Sequence, residues 1–161
     1  MTVTDQKGCT ATSTVSITQP VALTTTVASS NITCNSICNG TATLSASGGS
    51  TAYSYSWLAG GQTTSTISAL CVGNYFGTVT DANGCTSSQT VSITQPTAIS
   101  PTLTTTNASC FGGCDGSASV NLSGGTGSYT YLWNPGGYTT SAVTGLCAGN
   151  YTLTVSDANA C

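Results

Sequence analysis

The segment SGGSTAYSYSW, residues 47–57, recurs as SGGTGSYTYLW at residues 123–133. In the first copy Tyr53, Tyr55 and Trp57 stand at alternate positions, and the second copy repeats them as Tyr129, Tyr131 and Trp133. Alternation with a period of two is typical of a β-strand that buries one face. Because Ser-Gly-Gly is a turn signal, the segment predicts a turn followed by a strand whose aromatic side chains face a core.

The same spacing extends over the whole chain. Residues 10–85 align with residues 86–161 without a gap, so the period is 76 residues. All nine cysteines follow this period: Cys9, Cys85 and Cys161; Cys34 and Cys110; Cys38 and Cys114; Cys71 and Cys147. A fixed period of this size indicates tandem copies of one structural module.

The rest of the module also predicts strands. Apolar residues alternate at 42, 44 and 46 and again at 91 and 93, and turn-forming clusters separate the runs. We predict strands at about 21–28, 41–47, 52–58, 63–68, 74–80 and 86–94, with a candidate short strand near 30–33. A Trp in the third strand and a Tyr in Leu70-x-x-Gly73-x-Tyr75 are typical of immunoglobulin-like (Ig-like) sandwiches. The predicted fold class is all-β, as tandem Ig-like β-sandwiches of 76 residues stacked end to end.

The alternation also predicts a core. The aromatic residues Trp57 and Tyr75, with Trp133 and Tyr151 in the next module, are its central members. The remaining predicted core residues are Leu44, Tyr55, Leu70, Val79 and Ile93, and then Val120, Tyr131, Leu146 and Val155.

The composition excludes several functional classes. The chain has one basic residue, four acidic residues and no His. General acid-base catalysis therefore has almost no groups to use, and we expect neither an enzyme nor a cofactor. Nucleic acid and anionic lipid bind through basic side chains, so neither is an expected partner. No apolar run approaches the roughly 20 residues of a membrane span, so we expect no membrane insertion by this segment.

Four cysteines per module indicate a disulfide framework and an oxidising, extracellular setting. Strand polarity suggests how they pair. The turn at 34–38 and Cys71 lie at the pole where the chain leaves the sandwich, whereas Cys85 lies at the opposite pole, beyond the roughly 7 Å limit for a disulfide. We hypothesise Cys38–Cys71, Cys114–Cys147 and an inter-module Cys34–Cys161 bond, which leave Cys9, Cys85 and Cys110 unpaired. The competing scheme joins Cys34 to Cys38 and Cys71 to Cys85.

A family resemblance follows from the combined motifs. SITQP, the paired cysteines, SGG, YSYSW, GGQTTSTISAL, GNY and TVTDANGC together resemble SprB-type repeats. The resemblance implies an Ig- or PKD-like sandwich repeated many times in a large cell-surface adhesin of gliding Bacteroidetes, exported by type IX secretion. It also allows the shaft of a multichain appendage. It does not imply a ligand.

The Gln-Pro pairs at 19–20 and 95–96 predict the module boundaries, because Pro favours an extended start to a new module. We expect 1–20 to be the last hairpin of a preceding repeat, 21–96 a complete repeat, and 97–161 a repeat without its final strand. Two explanations are open: the segment belongs to a longer chain, which we favour, or the hairpin of one copy completes another copy by strand addition.

Some residues allow a second interpretation. Asp5, Asp81 and Asp157 recur in one turn and suggest calcium, but an Asx-type turn is favoured because no second carboxylate accompanies them. Zinc is disfavoured because the close pair C-x3-C has no second close pair. The Tyr-x-Tyr-x-Trp residues suit either a sugar-binding platform or, as we favour, the core.

Two functional classes remain. The first is a disulfide-stapled structural or adhesive stalk, with neighbouring repeats and other copies as partners. The second is a carbohydrate-binding array that holds surface glycans through exposed aromatic residues: Phe76, Phe111 and Tyr138. Their equivalents are Thr152, Asn35 and Gln62, so they are not matched between modules. The mismatch favours the stalk.

Overall fold

The computed structural model describes residues 1–58 and 60–161, and these residues form strands and no helix. The all-β prediction is confirmed. In the described chain, no helical segment is long and apolar enough to cross a membrane. The strands are β1 (Thr2–Thr4), β2 (Thr10–Thr12), β3 (Thr24–Ser30), β4 (Gly40–Ser47), β5 (Ser54–Trp57), β6 (Thr66–Leu70), β7 (Gly73–Thr80), β8 (Thr86–Ile93), β9 (Ser100–Thr106), β10 (Gly116–Ser123), β11 (Thr130–Asn134), β12 (Ala142–Leu146) and β13 (Thr152–Ser156).

Strands β3–β8, here called the first repeat, form two antiparallel sheets in the orders β3-β4-β6 and β5-β7-β8. Alternate residues of β4 point inward, as the period of two predicts. The core between the sheets contains eight buried hydrophobic residues: Ile32, Ala42, Leu44, Trp57, Ile67, Leu70, Val79 and Ile93.

Strands β9–β13, here called the second repeat, form sheets in the orders β9-β10-β12 and β11-β13. They correspond to β3–β7, and the described residues contain no counterpart of β8 after β13. The second core is smaller and contains Ala118, Val120, Trp133, Val143 and Leu146.

The sheet order is compatible with the Ig-like prediction. The neighbours β3-β4-β6 and β5-β7-β8 correspond to strands A-B-E and C-F-G of an Ig sandwich. The described residues contain no counterpart of strand D. The Ig-like assignment therefore stays a prediction, whereas the pair of packed antiparallel sheets is observed.

The Ser-Gly-Gly turn before the aromatic strand requires glycine. Gly48 has a φ of +75°, and a Cβ there would lie 2.1 Å from the carbonyl oxygen of Ala22. Gly124 has the same geometry, with a φ of +78° and the Ala98 oxygen at 2.0 Å. A side chain at either position would collide with the chain that enters the sandwich, which explains why the motif recurs.

Several strand limits differ from the sequence-based ones. β3 runs Thr24–Ser30 rather than from 21, and β6 runs Thr66–Leu70 rather than 63–68. The candidate strand near 30–33 does not form, because the N–H of Thr33 bonds the side chain of Asn39 at 3.1 Å instead of a strand. The Ser- and Thr-rich segment 63–66 has no apolar alternation to fix where β6 begins.

The N-terminal segment forms only a small hairpin. β1 pairs with β2 over three residues, and residues 13–20 belong to no strand. Every residue from 1 to 20 is exposed, including Val15 at 86% and Ile17 at 92%. These two side chains therefore have no core to pack against in the structure.

Candidate functional site

The aromatic strand lies inside the sandwich. Trp57 is 1% exposed and Trp133 2% exposed. The indole Nε1 of Trp57 donates to the Thr64 carbonyl at 3.0 Å, and that of Trp133 donates to the Thr140 carbonyl at 2.9 Å. The buried ring is thus packed and its one polar atom is satisfied. Neither Trp is available as a surface platform for sugars.

The tyrosines of the predicted core are half-buried rather than buried, and so is Val155. Tyr75 donates its hydroxyl to the Cys71 carbonyl at 3.0 Å, and Tyr151 donates to the Cys147 carbonyl at 3.4 Å. The ring packs on the core while the hydroxyl reaches the sandwich end. The other predicted core residues are buried: Leu44, Leu70, Val79, Ile93, Val120 and Leu146.

Two disulfides close equivalent loops in the two repeats. Cys38 bonds Cys71 with the Cα atoms 4.1 Å apart, and Cys114 bonds Cys147 with the Cα atoms 3.8 Å apart. Each joins partners separated by 33 residues. The bond attaches the loop before the second strand of each repeat to the segment that leads into β7 or β13, beside the Tyr75 or Tyr151 hydroxyl.

A third disulfide joins the two repeats. Cys34 in the first repeat bonds Cys161, which follows β13, with the Cα atoms 5.6 Å apart and a sequence separation of 127. Next to it, the side-chain amide of Asn159 donates to the Thr33 carbonyl at 2.9 Å. The structure thus contains the three hypothesised pairs, and neither Cys34–Cys38 nor Cys71–Cys85 is formed among the described residues.

The loop that carries Cys34 is also held by the chain that leaves the first repeat. Asn31 accepts the N–H of Thr94 at 3.0 Å, and the N–H of Ser36 donates to the side chain of Gln95 at 3.1 Å. The side-chain amide of Asn35 donates to the Pro96 carbonyl at 3.0 Å. This region, residues 31–38 with 94–96 and 159–161, is here called the junction. It is fixed by one covalent bond and several polar contacts.

Two of the recurring aspartates, Asp81 and Asp157, stabilise the turns that precede Cys85 and Cys161 by accepting backbone hydrogen bonds. The carboxylate of Asp81 accepts N–H bonds from Ser50, Asn83 and Cys85, each at 2.9 Å. The Ser50 N–H is the largest influence on the pKa of Asp81 and lowers it; burial acts in the opposite direction, and together with the Cys85 and Asn83 N–H groups the net effect is a lowered pKa.

Asp157 repeats this arrangement. It accepts N–H bonds from Thr126 at 2.8 Å, Asn159 at 2.9 Å and Cys161 at 3.1 Å. Burial alone would raise the pKa of Asp157, but the Cys161, Thr126 and Asn159 N–H groups more than offset it, so the pKa lies below its usual range. The carboxylates therefore act as turn acceptors, and the turn next to the Cys34–Cys161 bond depends on one of them.

No group of three or more His, Cys, Asp or Glu side chains within residues 1–58 and 60–161 is arranged to hold a metal ion. The oxygens of Asp81 and Asp157 already accept hydrogen bonds from backbone N–H groups, which leaves little capacity for calcium.

One pair of loop-stabilising hydrogen-bonded contacts was not predicted from the sequence. Asn39 accepts the Thr33 N–H and donates to the Thr33 hydroxyl at 2.7 Å. At the equivalent sites, Asp115 accepts the Ser109 N–H at 2.8 Å and also the Ser109 hydroxyl. The Ser109 hydroxyl is the main reason that the pKa of Asp115 is lowered. The available signal was a polar residue directly after the second cysteine of each C-x3-C pair.

The remaining cysteines and aromatic residues are at the surface. Cys9, Cys85 and Cys110 are free and exposed. Phe76 and Tyr138 are 43% and 40% exposed, and Phe111 is fully exposed beside Cys110.

No curated protein and no solved structure is significantly similar to the chain. A family model, however, matches two segments, which begin in β3 and β9 and end in the loops after β5 and β11. Residues 26–62 and 102–137 each match the SprB repeat, which confirms the predicted resemblance in these two segments.

Proposed function

We propose that this chain is a structural stalk segment of an extracellular surface protein, in which disulfides make the repeats a covalently continuous support. The observation that carries the proposal is the Cys34–Cys161 bond, which links one repeat to the next. A bond within a repeat stabilises only that repeat. A bond across the junction also fixes how far the two repeats can separate.

The junction is attached on two sides. The polypeptide passes from Pro96 into the second repeat, and Cys161 returns from that repeat to Cys34. Two covalent attachments between the same two bodies restrict hinge motion more than one peptide link does. The Asn35–Pro96 and Asn159–Thr33 hydrogen bonds act in the same direction. A restrained junction is what a stiff support requires.

The chemistry of the chain supports a passive role outside the cell. Disulfides persist in oxidising compartments, and a chain in which about a third of the residues are Ser or Thr and very few are charged offers little for catalysis. SprB-type repeats further suggest a parent adhesin of gliding Bacteroidetes exported by type IX secretion. Adhesion itself then resides elsewhere on the parent protein or on the hydroxyl-rich faces.

The carbohydrate-binding alternative lacks a repeated site. Phe76, Phe111 and Tyr138 are exposed, but Thr152, Asn35 and Gln62 replace them in the other repeat. The aromatic residues that do recur on β5 and β11 belong to the cores. A glycan array probed with the 161-residue chain separates the two functions, since the stalk predicts no selective glycan.

Single-molecule pulling from residues 1 and 161 tests the stalk directly. With Cys34–Cys161 intact, tension passes from residue 34 to 161 through the bond, so only the first 33 residues can extend, by on the order of 110 Å. After reduction, the whole chain should extend by about 500 Å.

The matched variant is Cys34→Ser, which removes the junction bond and leaves both bonds within the repeats. It should show long extensions without reductant. Long extensions in the oxidised wild-type chain would contradict the proposal, because the junction would then not carry tension.

A further inference from the structure

A buried hydroxyl group on the first strand of the first repeat has no hydrogen-bond partner. Thr25 lies on β3 and is 6% exposed, and its Oγ1 makes no hydrogen bond to any described residue. A buried hydroxyl without a partner lowers the stability of a fold, and a Val of nearly the same shape would avoid that cost. Packing alone therefore does not explain a hydroxyl at this position.

The side chain of Gln89, on the last strand of the repeat, reaches the same residue. Its Nε2 donates to the backbone carbonyl of Thr25 at 2.9 Å, across 64 positions of sequence. The alternation of burial places both side chains on the inner faces of β3 and β8, which pack against each other. The carboxamide of Gln89 is thereby fixed on the residue that carries the unpartnered hydroxyl.

Neither residue is required by the module itself. Pro101 stands in the place of Thr25 in the second repeat, and Ser13 stands in the place of Gln89 in the segment before the first repeat. Neither of these two neighbours can therefore form the same pair. A hydroxyl and a carboxamide that meet in the first repeat alone point to chemistry between them rather than to a need of the fold.

We propose that Thr25 and Gln89 are joined by an intramolecular ester, which the folded repeat forms by itself. The Oγ1 of Thr25 attacks the side-chain carbonyl carbon Cδ of Gln89, so an Oγ1–Cδ bond forms and the Cδ–Nε2 bond breaks. The hydroxyl proton moves to the departing nitrogen, which leaves as ammonia. Atoms and electrons balance without an oxidant, because Cδ stays at the oxidation level of a carboxylic acid.

The arrangement of the two groups favours the reaction. A nucleophile and a carbonyl that are well oriented by a scaffold react as though at about 10⁵–10⁸ M. The Thr25 hydroxyl gives up no hydrogen bond when it attacks, and the released ammonia is protonated and diluted in water, which opposes the reverse reaction. Because the chain has no His and few carboxylates, we expect the ester to form slowly after folding.

The ester joins the two strands through which the chain enters and leaves the repeat. β3 and β8 belong to different sheets, so the bond also attaches one sheet of the sandwich to the other. Thr25 is near the start of β3, whereas Cys38 follows the end of this strand. The ester and the Cys38–Cys71 bond therefore secure opposite ends of the sandwich. The modification rests on these contacts and does not depend on the stalk function.

Intact-mass measurement of the fully reduced chain tests the ester directly. After incubation of the folded chain at neutral pH, the wild type should be lighter than its sequence by one ammonia. A protease digest should then contain one cross-linked pair of peptides that carry Thr25 and Gln89. Thr25→Val and Gln89→Met should each have the mass of their own sequence.

The variants also separate the ester from another loss of ammonia. The Asn-Gly pairs at 39–40 and 83–84 can lose ammonia by forming a succinimide, and substitutions at positions 25 and 89 leave these pairs intact. A wild-type chain with the mass of its sequence would overturn the ester. A loss of ammonia that persists in both variants would overturn it as well.

Thermal denaturation of Thr25→Val gives a second test, in which the sign of the effect decides. If the hydroxyl has not reacted, its replacement removes an unsatisfied buried group, and the melting temperature should stay the same or rise. If the ester has formed, the variant lacks a cross-link that closes 64 residues and should melt at a lower temperature than the incubated wild type. The matched control is Thr26→Val at the exposed neighbouring position, which should melt like the wild type.

Force spectroscopy separates the ester from the stalk proposal. In the reduced chain, the ester withholds the 64 residues between Thr25 and Gln89. Only Thr25→Val should then reach the full extension, and the wild type should fall short of it by about 210 Å. The oxidised chain is limited by Cys34–Cys161 in both cases and tests the stalk alone. Equal extensions of the two reduced chains would overturn the ester and leave the stalk proposal standing.

Discussion

The two repeats have the same turn glycines, the same buried Trp and the same internal disulfide, yet only the first has a closed core. Val79 is fully buried in the first repeat, whereas its equivalent Val155 is half-buried. The difference traces to one strand, because β8 supplies Ile93 and covers β7. The first five strands and the disulfide are thus enough to form the sandwich, and the sixth strand closes the core of the first repeat.

The largest expected effect is at the central Trp. Trp57→Ala should reduce the free energy of unfolding of the first repeat by about 3–5 kcal/mol, because it leaves a void in a closed core. Trp133→Ala should cost less, since Trp133 already lines an open cleft in the second repeat, of about 910 Å³. Chemical denaturation followed by CD measures both. A larger loss for Trp133→Ala would contradict the claim that the core of the first repeat is closed and that of the second is open.

The identical TVSITQP segments, residues 14–20 and 90–96, provide a matched pair. Ile93→Ala should lower the free energy of unfolding by about 2–5 kcal/mol, because Ile93 is fully buried. Ile17→Ala should change it by less than about 0.5 kcal/mol, because the Ile17 side chain is 92% exposed. Equal effects in thermal denaturation would mean that the same sequence has the same environment in both places.

The internal disulfides of the two repeats should contribute equally to the free energy of unfolding. Removal of Cys38–Cys71 or Cys114–Cys147, by Ser at both positions, should cost about 2–4 kcal/mol in its own repeat. Both bonds close the same sequence separation of 33 residues, so the two losses should agree. If only one loss is large, the open cleft affects the disulfide end of the sandwich as well.

The smallest effect concerns pH. The pKa values of Asp81 and Asp157 are below the ordinary value of 3.8 in the folded chain. A lowered pKa stabilises the fold above the unfolded value, and this contribution is lost as the pH falls through the folded value. The free energy of unfolding should be flat from pH 7 to about 5 and decrease below about pH 4.

Asp81→Asn and Asp157→Asn should each make this decrease shallower, one in each repeat. Urea titrations at pH 7 and pH 3 measure it. A decrease of the same size in the double variant would show that other groups cause the acid sensitivity.

The sequence predicted the elements that have strong alternation. β4, β5, β7 and β8 lie within a few residues of their predicted limits, since each carries a period-two apolar pattern between turn glycines. The limits of β6 were less predictable, because the Ser- and Thr-rich segment 63–66 leads into it and Leu70 follows a positive φ at Ala69. The alternating directions of the predicted strands placed each cysteine at one end of the sandwich or the other. That placement could be made for cysteines far apart in the sequence because the repeated pattern defined the strands of both modules.

Burial was predicted less well where a polar atom is involved. Tyr75 and Tyr151 alternate with apolar neighbours, so the pattern assigned them to the core. Their hydroxyls need a partner, and the Cys71 and Cys147 carbonyls at the sandwich end provide it, which leaves the rings half-exposed. The Asp115–Ser109 contact was missed for a related reason, since loop geometry sets it and no periodic signal encodes it.

The bond between Cys34 and Cys161 also determines what a protease can do. It closes a ring, and a single cut at any peptide bond between these cysteines opens the ring without separating the pieces. The only Lys of the chain, Lys7, lies outside it, so trypsin-like enzymes have no site within the ring. An enzyme with another specificity must cut twice to release a fragment. Even then, a Cys38–Cys71 or Cys114–Cys147 bond can keep the pieces attached. The protein is thereby able to survive nicks that would sever an ordinary chain.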